Sequence, residues 1–222
     1  MMTKNLHLAF VLIFVSMVYA LCGLFLNSMG ASLFLSWLFW NLFLAVLPVV
    51  IAICAQLLMN TTKKWNILIL FLGIIWLLFL PNACYMVTDL IHLDTTPFIA
   101  ADGTYLPHMG AWIQLFYIVS SVFLALICGL FSTHIMQETL PFQHPLPQKL
   151  WVVCICILNG FGVYMGRFLR LNSWDILHPF SLIHKIIENF NAFTVLFTMM
   201  LAVFYGVAYW IFKCIIQTTT QK

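Results

Sequence analysis

The sequence predicts an all-α, polytopic bundle of about six transmembrane helices, and three observations predict it. Hydrophobic residues make up 64% of the 222 positions and charged residues only 7%, where soluble domains carry roughly a quarter charged residues. Mean hydropathy is +1.06. The apolar residues fall into six runs that meet or approach the roughly 20 residues a helix needs to cross the hydrocarbon core. A surface so poor in charge cannot be kept wet, so an ordinary soluble domain is excluded. Residues 1–222 read as a single integral membrane domain.

The runs are Leu6–Leu26, Leu33–Leu58, Trp65–Leu80, Ala111–Ile135, Leu150–Leu171 and Phe190–Phe212. The first exceeds the usual 7–15-residue core of a signal peptide and lacks a small-x-small cleavage site, so it reads as a retained span. The second contains Asn41 and Pro48, and a kink is expected near the proline. The third is short, and Pro81 directly after it disfavours helical geometry at Leu80, so a break is expected there. Between the third and fourth runs, Asp102-Gly103 marks a turn punctuated by Pro97 and Pro107. Pro141, Pro145 and Pro147 stiffen the connection between the fourth and fifth runs. Before the sixth, Phe180, Ile183, Ile187 and Phe190 share one face of a short segment whose other face carries Ser181, His184, Lys185 and Glu188. This pattern predicts an amphipathic helix lying in the outer interface. Tyr19, Trp37, Trp40, Trp65, Trp112, Trp151 and Trp210 suit interfacial belts.

Lys/Arg placement sets the expected orientation. With both termini cytoplasmic, the inner pieces hold Lys4, Lys63, Lys64, Lys149, Lys213 and Lys222, and the outer pieces hold Arg167, Arg170 and Lys185. The net charge of +3 includes no basic run long enough to suggest nucleic acid. Seven cysteines without paired spacing outside the membrane argue against a disulfide framework. Cys154-x-Cys156 is too close for usual metal or redox spacing and reads as packing.

Two stretches concentrate the polar residues: Leu80–Asp94, and Gly166–His178. Each contains Asp-x-x-His with an Asn upstream. An even number of crossings separates them, so they emerge on one face of the membrane and can meet. Asp89/His92 and Asp175/His178 each place two side chains on one helical face, a set that can ligate one divalent metal. Asp94 and His108 stand in reserve as ligands. The competing reading makes Asp89 a helix cap, and Asn172 a cap with Asp175 in its first turn. Arg167 and Arg170 present planar forks suited to phosphate or carboxylate. They can instead neutralise Asp89 and Asp175 in an internal network, or snorkel from a helix end. Gly160-x-Gly162-x-x-x-Gly166 lacks the strand and the Lys-Ser/Thr of a nucleotide loop. Gly162 and Gly166 offer a flat face for close helix packing. Asn41 and Asn159 are candidates for interhelical hydrogen bonds.

Phe79-Leu80-Pro81-Asn82-Ala83-x-Tyr85 with Thr88-Asp89-Leu90, and Gly166-Arg167-Phe168-Leu169-Arg170-x-Asn172-Ser173-Trp174-Asp175, resemble the signature stretches of a bacterial multi-pass membrane protein family, the domain of unknown function 1361 (DUF1361). The similarity runs from about the second span to the sixth. Cys84 stands where the family pattern leads one to expect proline. The resemblance implies a bacterial plasma-membrane protein and supplies no activity.

Three function classes follow. The first is an extracytoplasmic-facing site for an anionic or lipid-derived ligand. Arg167 and Arg170 contact the anion there, and Asn82, Asn172, Asp89 and Asp175 orient them. The second is a metal-dependent membrane hydrolase or transferase, with Asp89, Asp175 and His92 as catalytic candidates and one divalent cation held by Asp89, His92, Asp175 and His178. The third is a transporter or a membrane subunit of a larger complex, with Pro48 and Pro81 marking broken helices. The lipid bilayer is a partner in all three.

Overall fold

A computed structural model describes residues 2–28, 36–93, 98–141 and 144–220. Seven α-helices order as α1 (Met2–Ser28), α2 (Ser36–Thr62), α3 (Ile67–Tyr85), α4 (Met109–Thr139), α5 (Pro145–Phe168), α6 (Pro179–Asn189) and α7 (Ala192–Thr220). All but α6 are long and apolar enough to cross a membrane. The described residues therefore form the all-α, six-span bundle that composition predicts. The charges along it also divide by end: Lys4, Lys63, Lys64, Lys149 and Lys213 sit at one end of the bundle, and Arg167, Arg170 and Lys185 at the other. Lys222 and Pro97 lie outside the described residues.

The α2–α3 hairpin turns through Lys63, whose φ of 52° is left-handed. Asn66 then caps α3, its side-chain oxygen accepting the Leu68 and Ile69 N–H groups at 3.1 and 3.0 Å. α2 stays helical through the buried Pro48. Before α4, Ala100 N–H bonds the Thr104 carbonyl at 2.8 Å around Gly103, whose φ is 84°. The Thr104 hydroxyl and then its N–H bond Asp102 and hold that carboxyl below its usual range. The core is apolar and aromatic. Trp76 stacks on Trp151 at 5.9 Å and donates its indole N–H to the Ser132 hydroxyl at 3.2 Å.

The expected break at Leu80 is not found. α3 passes through Pro81 to Tyr85 and then tightens into a 3-10 helix over Met86–Leu93, so the third span covers Ile67–Leu93. Proline in a helix removes the donor to the carbonyl four residues back, here that of Leu77, and crowds the preceding turn; side chains bond the next two carbonyls of that turn, and a glycine makes room for the ring. Ser173 donates to the Leu78 carbonyl at 2.8 Å, and the Asn82 side chain donates to the Phe79 carbonyl at 2.9 Å. The bare backbone of Gly162 leaves room for the ring: a methyl group there would lie 2.3 Å from Pro81 Cγ. One at Gly166 would meet Tyr85 at 3.4 Å. The Gly162/Gly166 face thus packs α5 against α3. Gly160 packs on α7 instead, where a methyl would sit 2.5 Å from the Thr198 carbonyl.

The fifth span is displaced along its apolar run: α5 starts at Pro145 and ends at Phe168 rather than at Leu171. The amphipathic segment is helical as expected. α6 buries none of its residues and exposes Phe180, Ile183 and Ile187. Tyr164 of α5 and Thr194 of α7 both donate to the Asn189 carbonyl, at 3.0 and 3.1 Å, and so fasten the C-terminal end of α6.

Gly162→Ala is predicted to destabilise the protein by about 1–3 kcal/mol, the usual range for overpacking. Gly73→Ala, where a methyl would meet Met136 at an ordinary 3.5 Å, is the control. Thermal unfolding in detergent micelles checks this: Gly162→Ala melts lower, and Gly73→Ala melts with or above wild type.

Candidate functional site

The ends of α3 and α5 meet at an ion pair. Asp89 lies in the 3-10 extension of α3 with its side chain 1% exposed, and Arg167 lies in the last turn of α5 at 16%. Arg167 Nη2 bonds Asp89 Oδ1. Arg167 Nε and Nη2 also donate to the Thr88 hydroxyl at 2.8 and 2.5 Å. That hydroxyl in turn donates a hydrogen bond to the Tyr85 carbonyl at 2.6 Å. The guanidinium carbon stands 4.1 Å from the Tyr85 ring centroid, a cation–π contact. Asn41 of α2 donates to the second carboxylate oxygen, Oδ2, at 3.0 Å. Both Asp89 oxygens are thereby satisfied, and three spans are joined at one side chain. A buried carboxylate is tolerated only when paired and hydrogen-bonded in this way. Asn41 makes the interhelical bond its position suggests; both polar atoms of the Asn159 side chain are buried without a partner among the described residues.

Beside the pair lies a cavity of about 810 Å³. Its polar lining is Asn41, Asn82, Arg167, Arg170, Asn172 and Ser173, and its apolar lining includes Trp40, Leu44, Leu77, Leu158, Phe161, Leu182 and Ile186. Among the described residues, two guanidinium groups line it and no carboxylate does. Asp89 neutralises Arg167 from behind. Arg170 makes no ion pair among the described residues and is exposed. Its φ of 53° is left-handed, and it stands just past the helix end, the position usually given to glycine. There the Leu171 N–H turns back to the Met165 carbonyl at 3.1 Å. A side chain in this conformation carries roughly 1–2 kcal/mol of strain relative to glycine.

The other sequence candidates scatter. Asp175 Oδ2 accepts the Asn172 N–H at 2.6 Å, closing the short 3-10 turn Ser173–Leu177. This is the capping arrangement, and Arg170 does not pair with Asp175. His92 is exposed, its ring tilted against that of Trp37 at 4.8 Å. His178 is exposed where that turn leads into α6, beside a pocket of about 230 Å³ that Asp175 and Lys185 also line. His108 caps α4, its Nδ1 accepting the Ala111 N–H at 3.2 Å. Asp94 lies outside the described residues. Among the described residues no three His, Cys, Asp or Glu side chains converge. Asp89, His92, Asp175 and His178 are thus not gathered at one point. Spacing of three gives a shared face, but the neighbour facing Asp89 is a guanidinium rather than a second carboxylate or imidazole.

Sequence reading left Tyr85, Thr88 and Ser173 without roles, although all three stand inside the two polar stretches. It also missed a polar cluster at the opposite end of the bundle. There His134 pairs with Glu138 at 3.2 Å, Tyr209 and Lys213 both donate to Gln137, at 2.6 and 3.2 Å, and Asn5 donates to Gln56 and Glu138, each at 3.4 Å. This cluster fastens α1, α2, α4 and α7 to one another.

The residues that build the ion pair and the cavity all fall within a match to the model of a family described as protein of unknown function (DUF1361), which spans residues 40–207. The chain belongs to the DUF1361 family. The DUF1361 match begins inside α2 and ends inside α7, leaving α1 outside it. No curated protein and no solved structure matches the chain.

Asp89→Ala is predicted to cost about 3–5 kcal/mol, because it strands a buried guanidinium. The double variant Asp89→Leu/Arg167→Met is predicted to lose much less than the two single losses combined. A double-mutant cycle by thermal unfolding measures the coupling; simple additivity would show that the two groups act independently.

Proposed function

We propose that this protein binds an anionic ligand in the cavity between the ends of α3 and α5. The carrying observation is the lining: two arginines, three asparagines, a serine and no carboxylate. Arg170 supplies the uncompensated charge. Arg167 is held by Asp89, Thr88 and Tyr85, which sets the edge of the site and keeps α5 in register with α3. Asn82, Asn172 and Ser173 add short-range polar groups on the same wall. An arginine kept in a left-handed conformation suited to glycine is a strained arrangement of the kind that accumulates at ligand sites. The six-to-three Lys/Arg asymmetry supports an orientation with both termini cytoplasmic and the cavity opening outward. Together with the family resemblance, it supports residence in a bacterial plasma membrane.

Arg170→Gly separates stability from binding. It relieves the left-handed strain, so the variant is predicted to unfold at or above the wild-type temperature. Phosphatidic acid added to the protein in micelles is predicted to raise the melting temperature of wild type, and not that of Arg170→Gly. An equal rise in both would remove Arg170 from the site and overturn the reading.

A further inference from the structure

We infer that the occupant is an amphiphile: a single phosphate-bearing head at Arg170 with a hydrocarbon tail laid along α5 toward the middle of the membrane. This rests on the anion-binding reading and adds the class of ligand. The lining is polar at one end and apolar along the rest. Arg170, Asn172, Ser173 and Asn82 gather near the helix ends, while Leu158, Phe161, Leu44 and Leu77 lie deeper in their spans. Leu158 stands roughly 15 Å below the end of α5 at about 1.5 Å rise per residue. That depth is about half of a hydrocarbon core roughly 30 Å thick. A small soluble anion makes no use of an apolar slot at that depth.

The apolar wall of the slot is itself accessible: Trp40 and Leu158, both on membrane-spanning helices, line it and are 49% and 46% exposed. Over the mouth, α6 sends Leu182 and Ile186 into the lining while Phe180, at 89% exposed, and Ile187 point away from it. A helix that buries no residue, fastened at its C-terminal end, forms an apolar eave above a charged group. A tail entering from the bilayer passes beneath it with its head held at Arg170. Phosphate suits the head because guanidinium offers paired donors to it.

The test titrates purified protein in amphipol with monoacylglycerol phosphates of increasing chain length, glycerol 3-phosphate and neutral monoacylglycerols, read by fluorescence of Trp40 and Trp174 at the slot. Affinity is expected to rise about tenfold for every two methylenes that enter the slot, and then to level off once it is full. Leu158→Trp, which fills the deep end, is expected to bring that plateau to shorter chains and leave glycerol 3-phosphate binding unchanged. Arg170→Gly is expected to erase the preference for phosphate over neutral heads. If glycerol 3-phosphate binds as tightly as the acylated series and Arg170→Gly abolishes both, the anion site stands and the lipid assignment falls. If affinity climbs with chain length identically in wild type, Leu158→Trp and Arg170→Gly, only partitioning is being read and the assignment falls. If no phosphate compound binds, both readings fall together.

Discussion

Ionised groups at membrane depth are tolerated only in complete sets, and the Asp89–Arg167 pair is the constraint around which this bundle closes. Water is not at hand to satisfy a carboxylate that is 1% exposed, so each of its oxygens needs a protein donor. Asn41 supplies one and Arg167 the other. For the guanidinium to arrive, α5 must approach α3 closely, and the glycine face of α5 permits this. Gly162 accepts the ring of Pro81, and Gly166 lies against Tyr85, whose ring then covers the guanidinium. Proline, glycine, aromatic ring and ion pair are therefore parts of one contact.

The two arginines, the only ones in the chain, divide the work despite standing three residues apart. Arg167 is still helical and turned inward, where its charge is matched. Arg170 lies beyond the helix end, in a backbone conformation that favours glycine, and its charge is left open to the cavity. Folding alone gives no reason for arginine at that position. A ligand that meets the charge supplies one.

The sequence made several features legible because they depend on composition and on local period. Six apolar runs became six spans, and the amphipathic pattern after Pro179 became α6. Counting crossings was enough to put the two polar stretches on one face, and their meeting at Asp89 and Arg167 is what that parity allows. Long-range repair was not legible. Pro81 reads as a helix breaker until Gly162, far along the chain, is seen to leave room for its ring and Ser173 to bond the Leu78 carbonyl in the same turn. Nor does Asp-x-x-His spacing reveal which neighbour reaches each carboxylate: Asp89 met an arginine, and Asp175 met its own backbone at Asn172. The polar cluster at the far end left no motif because its members come from separate helices. The apolar slot was hidden for a related reason, since its walls look like any other lipid-facing leucine and phenylalanine.

Having only two arginines makes the central claim open to direct spectroscopy. Protein labelled with nitrogen-15 at arginine and reconstituted with phosphatidic acid gives two guanidinium environments, whose proximity to lipid phosphorus can be measured by solid-state dipolar recoupling. The account predicts strong dephasing of the Arg170 guanidinium, assigned by its disappearance in Arg170→Gly, and weak dephasing of Arg167. Strong dephasing that survives in Arg170→Gly, or none at either arginine, would contradict it.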